Sequence, residues 1–229
     1  MIPASSRKPW IRWAGEFAVI VVSVYVAIFF ENWNQDRVAR ETARVALGQL
    51  LGELREDLAD FERIVATQAE LAGDYQNLDR WLTDPRSYPA DSVGAVLLRL
   101  GTENPTLFPR RASWRTMVSS GQLADLEAPA LVQQLGQLYE NIYSRIDYNS
   151  RFYDEELNAA LRAAPWIQWG RLPGGAIADD PQEVQRLALS LGRVQVLWNS
   201  WYRELLDDYD EDVRAAIAAV EHYLEGEGA

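Results

Sequence analysis

The chain has 229 residues and a formal net charge of −12, and it contains one histidine and no cysteine. Without cysteine it has no disulfide, thiol nucleophile or thiolate metal ligand, and one histidine cannot supply the histidine-based sites that need two or more. The acidic surplus repels nucleic acid and anionic lipid at long range, so we expect neither as a main partner.

The apolar segment from Trp13 to Trp33 predicts a transmembrane helix. At about 1.5 Å of rise per residue it covers roughly 30 Å, the thickness of the hydrocarbon core of a bilayer. Glu16 and Glu31 are the only charges between the two tryptophans. Each lies within one turn of an end, where a carboxylate reaches water and headgroups.

Tryptophan and arginine side chains border this apolar segment. The indole ring suits the membrane interface, and Arg12 stands four residues before Glu16 on the same helix face. A buried core helix and a cleaved signal peptide are the alternative interpretations. No small-residue cleavage site follows the apolar core, so we expect an uncleaved anchor. The candidate interface residues are Trp10, Arg12, Trp13 and Trp33.

The charges on either side of the anchor give an orientation. The N-terminal side is short and purely basic, whereas the basic residues that follow the anchor are mixed with acids. By the positive-inside rule we expect the N-terminus in the cytoplasm of a bacterium and the rest of the chain in the periplasm. The predicted location is therefore the bacterial inner membrane, with the lipid bilayer as one partner.

The absence of proline between Trp33 and Pro85 predicts that the anchor continues as one helix to about Thr83. Apolar residues at alternating steps of three and four mark the face that this helix buries. The predicted seam is Leu47, Leu51, Leu54, Leu58, Phe61 and Val65.

Four further elements follow. We predict short helices over 91–100 and 112–120, the second ended by Gly121, and long helices over 128–163 and from Pro181 to the C-terminus. Residues 165–180 form the one long predicted loop. The predicted core-facing residues include Leu138, Ile142, Ile146 and Phe152 on the helix over 128–163. On the last helix they include Val194, Trp198, Trp201 and Leu205.

These elements predict an all-α fold, in which a single N-terminal transmembrane helix continues into an extramembrane bundle of three long helices plus short ones. The predicted organisation is a basic tail over 1–12, the transmembrane helix over 13–33, the bundle over 34–225 and a tail over 226–229.

An arginine-rich segment around Trp114 is the first candidate binding surface. Arg110, Arg111 and Arg115 there could dock lipid headgroups or an acidic partner, or they could pair with carboxylates of this chain. Trp166 and Trp169 in the long loop are further docking candidates. Surplus tryptophan and tyrosine favour protein interfaces, although most of the aromatic residues are expected in the bundle core.

The acidic run of Asp208, Asp210 and Asp212 resembles the start of a calcium loop. It lacks the glycine and the closing acid of such a loop, and it keeps helical period, so we expect a solvated helix face. No catalytic residue, metal site or cofactor is predicted.

Two stretches resemble an uncharacterised family of bacterial single-pass membrane proteins. The first is Gly15-Glu16, the apolar run and Asn32-Trp33-Asn34. The second runs from Ser113-Trp114-Arg115-Thr116 through Ser119-Ser120-Gly121, Leu123 and Leu126 to Leu138-Tyr139. The resemblance implies a membrane-anchored helical architecture over most of the chain. It implies no activity and no catalytic residues, because the family has no established activity.

We therefore expect a non-catalytic accessory or structural subunit that packs its anchor and bundle against other membrane protein subunits, such as those of a respiratory, photosynthetic or transport complex. The alternative is a single-pass membrane sensor in which a ligand in the bundle shifts the anchor helix. An enzyme that uses carboxylates alone is the third possibility.

Overall fold

The computed structural model describes residues 9–84, 90–165 and 181–226. These residues are 91% helical and contain no strand, which confirms the predicted all-α class. The elements are α1 Pro9–Thr83, α2 Ala90–Thr102, α3 Ala112–Ser120, α4 Gln122–Asp125, α5 Pro129–Gly136, π1 Gln137–Ile142, α6 Tyr143–Arg162, α7 Pro181–Leu197, π2 Trp198–Tyr202 and α8 Arg203–Gly226. The segments π1 and π2 are π-helical, and they join α5 to α6 and α7 to α8.

Helix α1 is a single uninterrupted helix of 75 residues, about 110 Å long at 1.5 Å per residue. It continues from the apolar N-terminal part to Thr83, just before Pro85, as the sequence predicts. Its N-terminal part is long and apolar enough to cross a membrane, with a mean hydropathy of 1.6, and the most apolar stretch is not buried by any described residue. The apolar side chains there, including Trp13 and Trp33, are exposed.

The second half of α1 buries a seam that repeats every seven residues, typical of helices that pack at a shallow angle. This seam includes Asp57 and Gln68, two polar residues that the sequence analysis passed over. The predicted seam included Val65, which is exposed, and Leu58, which is half-buried. The positions seven residues apart are Leu47, Leu54, Phe61, Gln68 and Tyr75, and Leu50, Asp57, Ile64, Leu71 and Leu78. Ala43 and the predicted Leu51 are buried as well.

The other long helices pack around α1. The stretch from α5 through π1 to α6 covers Pro129 to Arg162, and the stretch from α7 through π2 to α8 covers Pro181 to Gly226. Helix α1 contacts α8, α7, α2, α3 and α4, while α6 contacts α7. Arg44 of α1 donates a hydrogen bond of 2.8 Å to the carbonyl of Leu224, which satisfies a carbonyl in the last turn of α8. The three predicted long helices thus form one bundle.

The short helices depart little from their predictions. Helix α3 has the predicted bounds, and Gly121 after it has φ of 78°, the left-handed conformation that glycine adopts without strain. Helix α2 extends two residues beyond the predicted Leu100. Asn104 stabilises this end, since its side chain donates a hydrogen bond of 2.8 Å to the carbonyl of Leu100.

Segment π1 shifts the inward face of the second long helical stretch. A π turn holds one more residue than an α turn, so the residues after it rotate relative to a regular pattern. Phe152 is exposed, so its predicted core position is wrong, and Tyr153 is buried in its place. Ile142 is half-buried and packs against the core beside the fully buried Tyr143, and Ile146 is buried as predicted.

Segment π2 has the same effect on the last helical stretch. Trp201, predicted to face the core, is 70% exposed, and Tyr202 is buried in its place. Trp198 at the start of π2 and Leu205 after it remain inside. The sequence shows a regular alternation of apolar residues here, and the extra residue of the π turn selects Tyr202 over Trp201.

The burial pattern of α7 gives a matched test of the core. We expect Leu191→Ala, at a fully buried position, to lower the free energy of unfolding by about 2–5 kcal/mol, because it leaves a cavity. Leu189→Ala, at a position 56% exposed on the same helix, is expected to change it by less than about 0.5 kcal/mol. Urea unfolding of the full chain in detergent, followed by circular dichroism, measures both. Equal effects of the two substitutions would contradict the orientation of α7.

Candidate functional site

The segment over residues 103–111, here called the crossing segment, joins α2 to α3 and lies across the bundle. Asn104, Leu107 and Arg110 each form hydrogen bonds to other elements of the bundle, including α1, α6 and π2. Most of the buried polar groups among the described residues take part in the hydrogen bonds of these three residues. The crossing segment is therefore the first candidate functional site.

Asp57 is the first polar residue of the α1 seam, and it is fully buried. Its carboxylate accepts the backbone N–H of Arg110 at 3.0 Å, the Nη1 of Arg110 at 2.7 Å and the hydroxyl of Tyr143 at 2.9 Å. A buried carboxylate needs such donors, because an unpaired charge in the core is very unfavourable. Asp57 thus joins α1, the crossing segment and α6 at one point.

Arg110 connects this buried carboxylate to the surface. Its guanidinium also contacts Asp60 at 2.8 Å and Glu56 at 2.9 Å. Burial raises the pKa of Asp57, and the hydrogen bonds from Arg110 and Tyr143 act in the opposite direction. The pKa of Arg110 is raised, first by its hydrogen bond to Asp57. Because donors surround both carboxylate oxygens, Asp57 is a structural anchor rather than a base available to a substrate.

The start of α3 is capped by a residue of α1. Glu53 lies one turn before Asp57 and accepts the backbone N–H of Ser113 at 3.1 Å and its hydroxyl at 2.8 Å. A carboxylate is favourable here, since the first N–H groups of a helix have no partner within it. Trp114 of the same turn donates from its indole nitrogen to Glu140 at 2.8 Å.

A group of aromatic rings packs around Asp57. Trp114 stacks on Tyr139 at 4.9 Å between centroids with an interplanar angle of 5°, and Tyr139 lies 4.7 Å from Tyr143. Tyr143 contacts Tyr209 of α8 at 5.7 Å. Burial, reinforced by the charge of Asp57, raises the pKa of each of these three tyrosines. Their hydroxyls therefore stay protonated, and the group acts as a rigid core.

Gln68 is the second polar residue of the seam and is 6% exposed. Its Nε2 donates to Oδ1 of Asn104, which also accepts the hydroxyl of Tyr153 at 2.8 Å. Asn104 in turn donates from Nδ2 to the hydroxyl of Tyr75 at 3.0 Å. This network ties α1, the start of the crossing segment and α6 together.

The middle of the crossing segment is held by Leu107. Its backbone N–H donates to the hydroxyl of Tyr202 at 2.9 Å, and its carbonyl accepts the hydroxyl of Ser150 at 2.6 Å. The two hydroxyls lie 2.7 Å apart, so Tyr202 donates to Ser150. Burial raises the pKa of Tyr202 to about 12, which keeps this donor protonated.

The structure puts the arginine-rich candidates in different environments. Arg110 pairs with three carboxylates of α1, as in the alternative prediction that these arginines pair with acids of this chain. Trp114 is buried, with 5% of its surface exposed. The guanidinium of Arg111 lies 5.9 Å from the centre of the Tyr143 ring. The side chain of Arg115 is exposed. The docking hypothesis stays a prediction, and Arg115 is the arginine best placed to reach a partner.

The other candidates lie at or beyond the limits of the description. Trp13 and Trp33 are exposed on the apolar part of α1. The side chains of Trp10 and Arg12 lie outside the described side chains, and Trp166 and Trp169 lie outside the described residues. The acidic run at 208–212 lies within α8, where Asp210 pairs with Arg214 at 2.7 Å.

Sequence reasoning missed the polar anchors Asp57, Asn104 and Gln68. The signal for two of them was present, since Asp57 and Gln68 occupy seam positions of a seven-residue repeat that is otherwise apolar or aromatic. A polar residue at such a position marks a place where another element supplies a hydrogen-bond partner. No comparable pattern identifies Asn104, which lies just after the end of α2.

A cleft of about 400 Å³ opens beside Gln68, between α1 and the region around π2. Its lining includes Gln68, Tyr75, Gln195, Trp198 and Arg203. The volume falls in the range of small-molecule sites, and the wall combines aromatic and polar side chains.

The pairing of Arg110 with Asp57 gives a stability test with a pH dependence. We expect Arg110→Ala to lower the free energy of unfolding at pH 8 by about 3–5 kcal/mol, because it leaves the buried charge of Asp57 unpaired. The loss is expected to be smaller at pH 5. Without Arg110 the pKa of Asp57 in the folded protein rises further above its value in the unfolded chain. A carboxyl group whose pKa is raised by folding favours the folded protein at low pH, where it is protonated, and this stability is lost as the pH rises and the group ionises.

Urea unfolding of the full chain at pH 5 and pH 8 measures this difference. Arg115→Ala is the matched control, because it removes a nearby exposed arginine, on α3, and should change stability by less than about 0.5 kcal/mol at both pH values. A loss for Arg110→Ala that is the same at pH 5 and pH 8 would show that the charge of Asp57 is not the cause.

Comparison with known proteins adds a family to this geometry. No curated protein and no solved structure shows a significant match to the chain. A family model described as a family of unknown function, DUF6090, matches residues 16–164. This range begins in the apolar part of α1 and ends after α6, so it includes Asp57, the crossing segment and Tyr143. The chain belongs to this family of unknown function, DUF6090.

Proposed function

We propose that the protein is a membrane-anchored accessory or structural subunit. The observation that carries the proposal is the form of α1, whose N-terminal part exposes a predominantly apolar surface and whose C-terminal part is the central helix of the bundle. An apolar surface of this length is stable when lipid or another apolar helix covers it. Because one helix serves both parts, the bundle is held at a fixed orientation to the bilayer.

Exposed aromatic side chains on the bundle support a protein partner. Trp201 is 70% exposed and Tyr148 is 71% exposed, although both are large rings. Such rings are enriched at the centres of protein interfaces, because they bury a large area at little cost in side-chain entropy. The proposed partner is another membrane protein subunit, of the respiratory, photosynthetic or transport type, and not nucleic acid.

Purification in mild detergent tests this role. We expect the tagged full chain to recover a second membrane subunit at fixed stoichiometry. Trp201→Ser is expected to reduce recovery of that subunit about tenfold or more, the effect of losing about 1.4 kcal/mol of binding free energy. Leu189→Ser, at an exposed apolar position on α7, is the control and should leave recovery unchanged. A lone, monodisperse chain would contradict the proposal.

The proposed orientation has the N-terminus in the cytoplasm and the bundle in the periplasm, across the bacterial inner membrane. The absence of native cysteine makes single-cysteine labelling direct. We expect Ser119→Cys, at an exposed position of α3, to react with a membrane-impermeant maleimide in intact spheroplasts. Labelling only after the membrane is permeabilised would reverse the orientation.

The second proposed function is a single-pass membrane sensor. The observation that favours it is the cleft beside π2, since α1 forms one wall of this cleft and also carries the apolar anchor. A ligand that separates α1 from α7 and α8 would tilt the anchor as well as the bundle. The chemistry of the cleft decides which ligands are suitable.

A further inference from the structure

We propose that the cleft between α1 and π2 binds a small organic ammonium compound with an apolar body, held by the amide oxygens of Gln68 and Gln195. The biological meaning of this site rests on the sensor function proposed above. Its test is binding itself, so it can fail without affecting the accessory-subunit proposal.

The orientation of the Gln68 amide follows from the network behind it. The carbonyl of Leu100 can only accept, so Asn104 must direct its Nδ2 to that carbonyl and its Oδ1 to Gln68. Gln68 must then direct its Nε2 to Asn104. Its Oε1 is left on the other side, buried and without a hydrogen-bond partner among the described residues. Gln68 lines the cleft, and a turn of its side chain toward the cleft would bring this oxygen to a donor bound there.

A second acceptor lies across the cleft. Gln195 of α7 also lines it, and its Oε1 is buried without a partner among the described residues. A buried carbonyl oxygen without a hydrogen-bond donor is unfavourable, so two of them at one cleft favour a molecule that supplies donors. A primary ammonium group provides three N–H donors and no acceptor.

The charge of the cleft also favours a cation. Asp79 and Asp207 face it with a single basic residue, Arg203, whose Nε lies 4.0 Å from a carboxylate oxygen of Asp207. This pairing offsets the charge of Asp207 and leaves that of Asp79. The net charge of −12 adds a long-range attraction for cations over anions.

The shape of the cleft provides space for an apolar body. Ala69 and Ala72 on α1 leave room where larger side chains would fill the groove, and Tyr75, Trp198 and Leu206 contribute aromatic and aliphatic surface. Tyrosine and tryptophan rings also attract organic cations through their faces. A neighbouring cleft of about 160 Å³ shares Tyr75 and Gln195, so the groove continues along α7.

The test uses 2-phenylethylammonium as the probe and isothermal titration calorimetry on the full chain in lipid nanodiscs, with empty discs subtracted. We expect saturable binding with one site per chain. Two analogues separate donors from charge. The N,N,N-trimethyl analogue keeps the positive charge without N–H donors and should bind at least about tenfold more weakly, and 3-phenylpropionate should not bind.

Two variants locate the binding site. Gln195→Met keeps the length of the side chain and removes its acceptor, and it should weaken binding of the probe about tenfold. Ala72→Trp fills the groove on the exposed side of α1 and should abolish binding. Leu189→Met, on the same helix as Gln195 but outside this cleft, should bind like the natural protein and controls for non-specific partition.

Failure of the probe to bind the natural protein would overturn the proposal, as would equal binding to the natural protein and to both cleft variants. Equal affinity for the probe and its trimethyl analogue would overturn the role of the two amide oxygens. Circular dichroism of each variant confirms that it is folded. Recovery of a partner subunit, measured separately, reports on the accessory function alone.

Discussion

The bundle depends on one constraint, which is that the buried seam of α1 contains two polar residues that must find partners. A carboxylate or an amide in an apolar seam costs free energy unless donors and acceptors surround it. Asp57 and Gln68 therefore fix which residues of the crossing segment lie against α1. Arg110 and Asn104 meet them near the two ends of that segment, and this sets the position of the chain between α2 and α3. An entirely apolar seam would permit several registers, whereas these polar contacts select one.

The region that the family model matches contains the residues of this constraint. The match spans residues 16–164, which contain the apolar part of α1, its polar seam, the crossing segment and α6. The stretch beginning at Ser113 lies where α3 is capped by Glu53 and where Trp114 meets Glu140. Ser113 and Trp114, two of the residues that carried the family resemblance, thus have structural roles here. They hold α3 between α1 and the second long helical stretch.

The sequence predicted the elements well and the side-chain environments less well. The absence of proline and the apolar periodicity are local properties, and they predicted the continuity of α1, the bounds of α3 and the three long helices. The π segments are rare interruptions that the apolar periodicity of the sequence does not mark. This is why Trp201 was expected inside and is exposed, while Tyr202 is inside. The polar anchors were missed because a search for apolar residues passes over a carboxylate in the core.

Segment π2 also links the core to the cleft. Tyr202, at the end of π2, holds the crossing segment through Leu107, and Trp198, at its start, lines the cleft. Gln68 also links the two, since its amide nitrogen holds Asn104 and its side chain lines the cleft. A ligand in the cleft would therefore act on the same residues that fix the register of α1. It can shift the position of α1 only by as much as its affinity differs between two arrangements of these helices. Because α1 is one continuous helix, any such shift in the bundle would also move its apolar part.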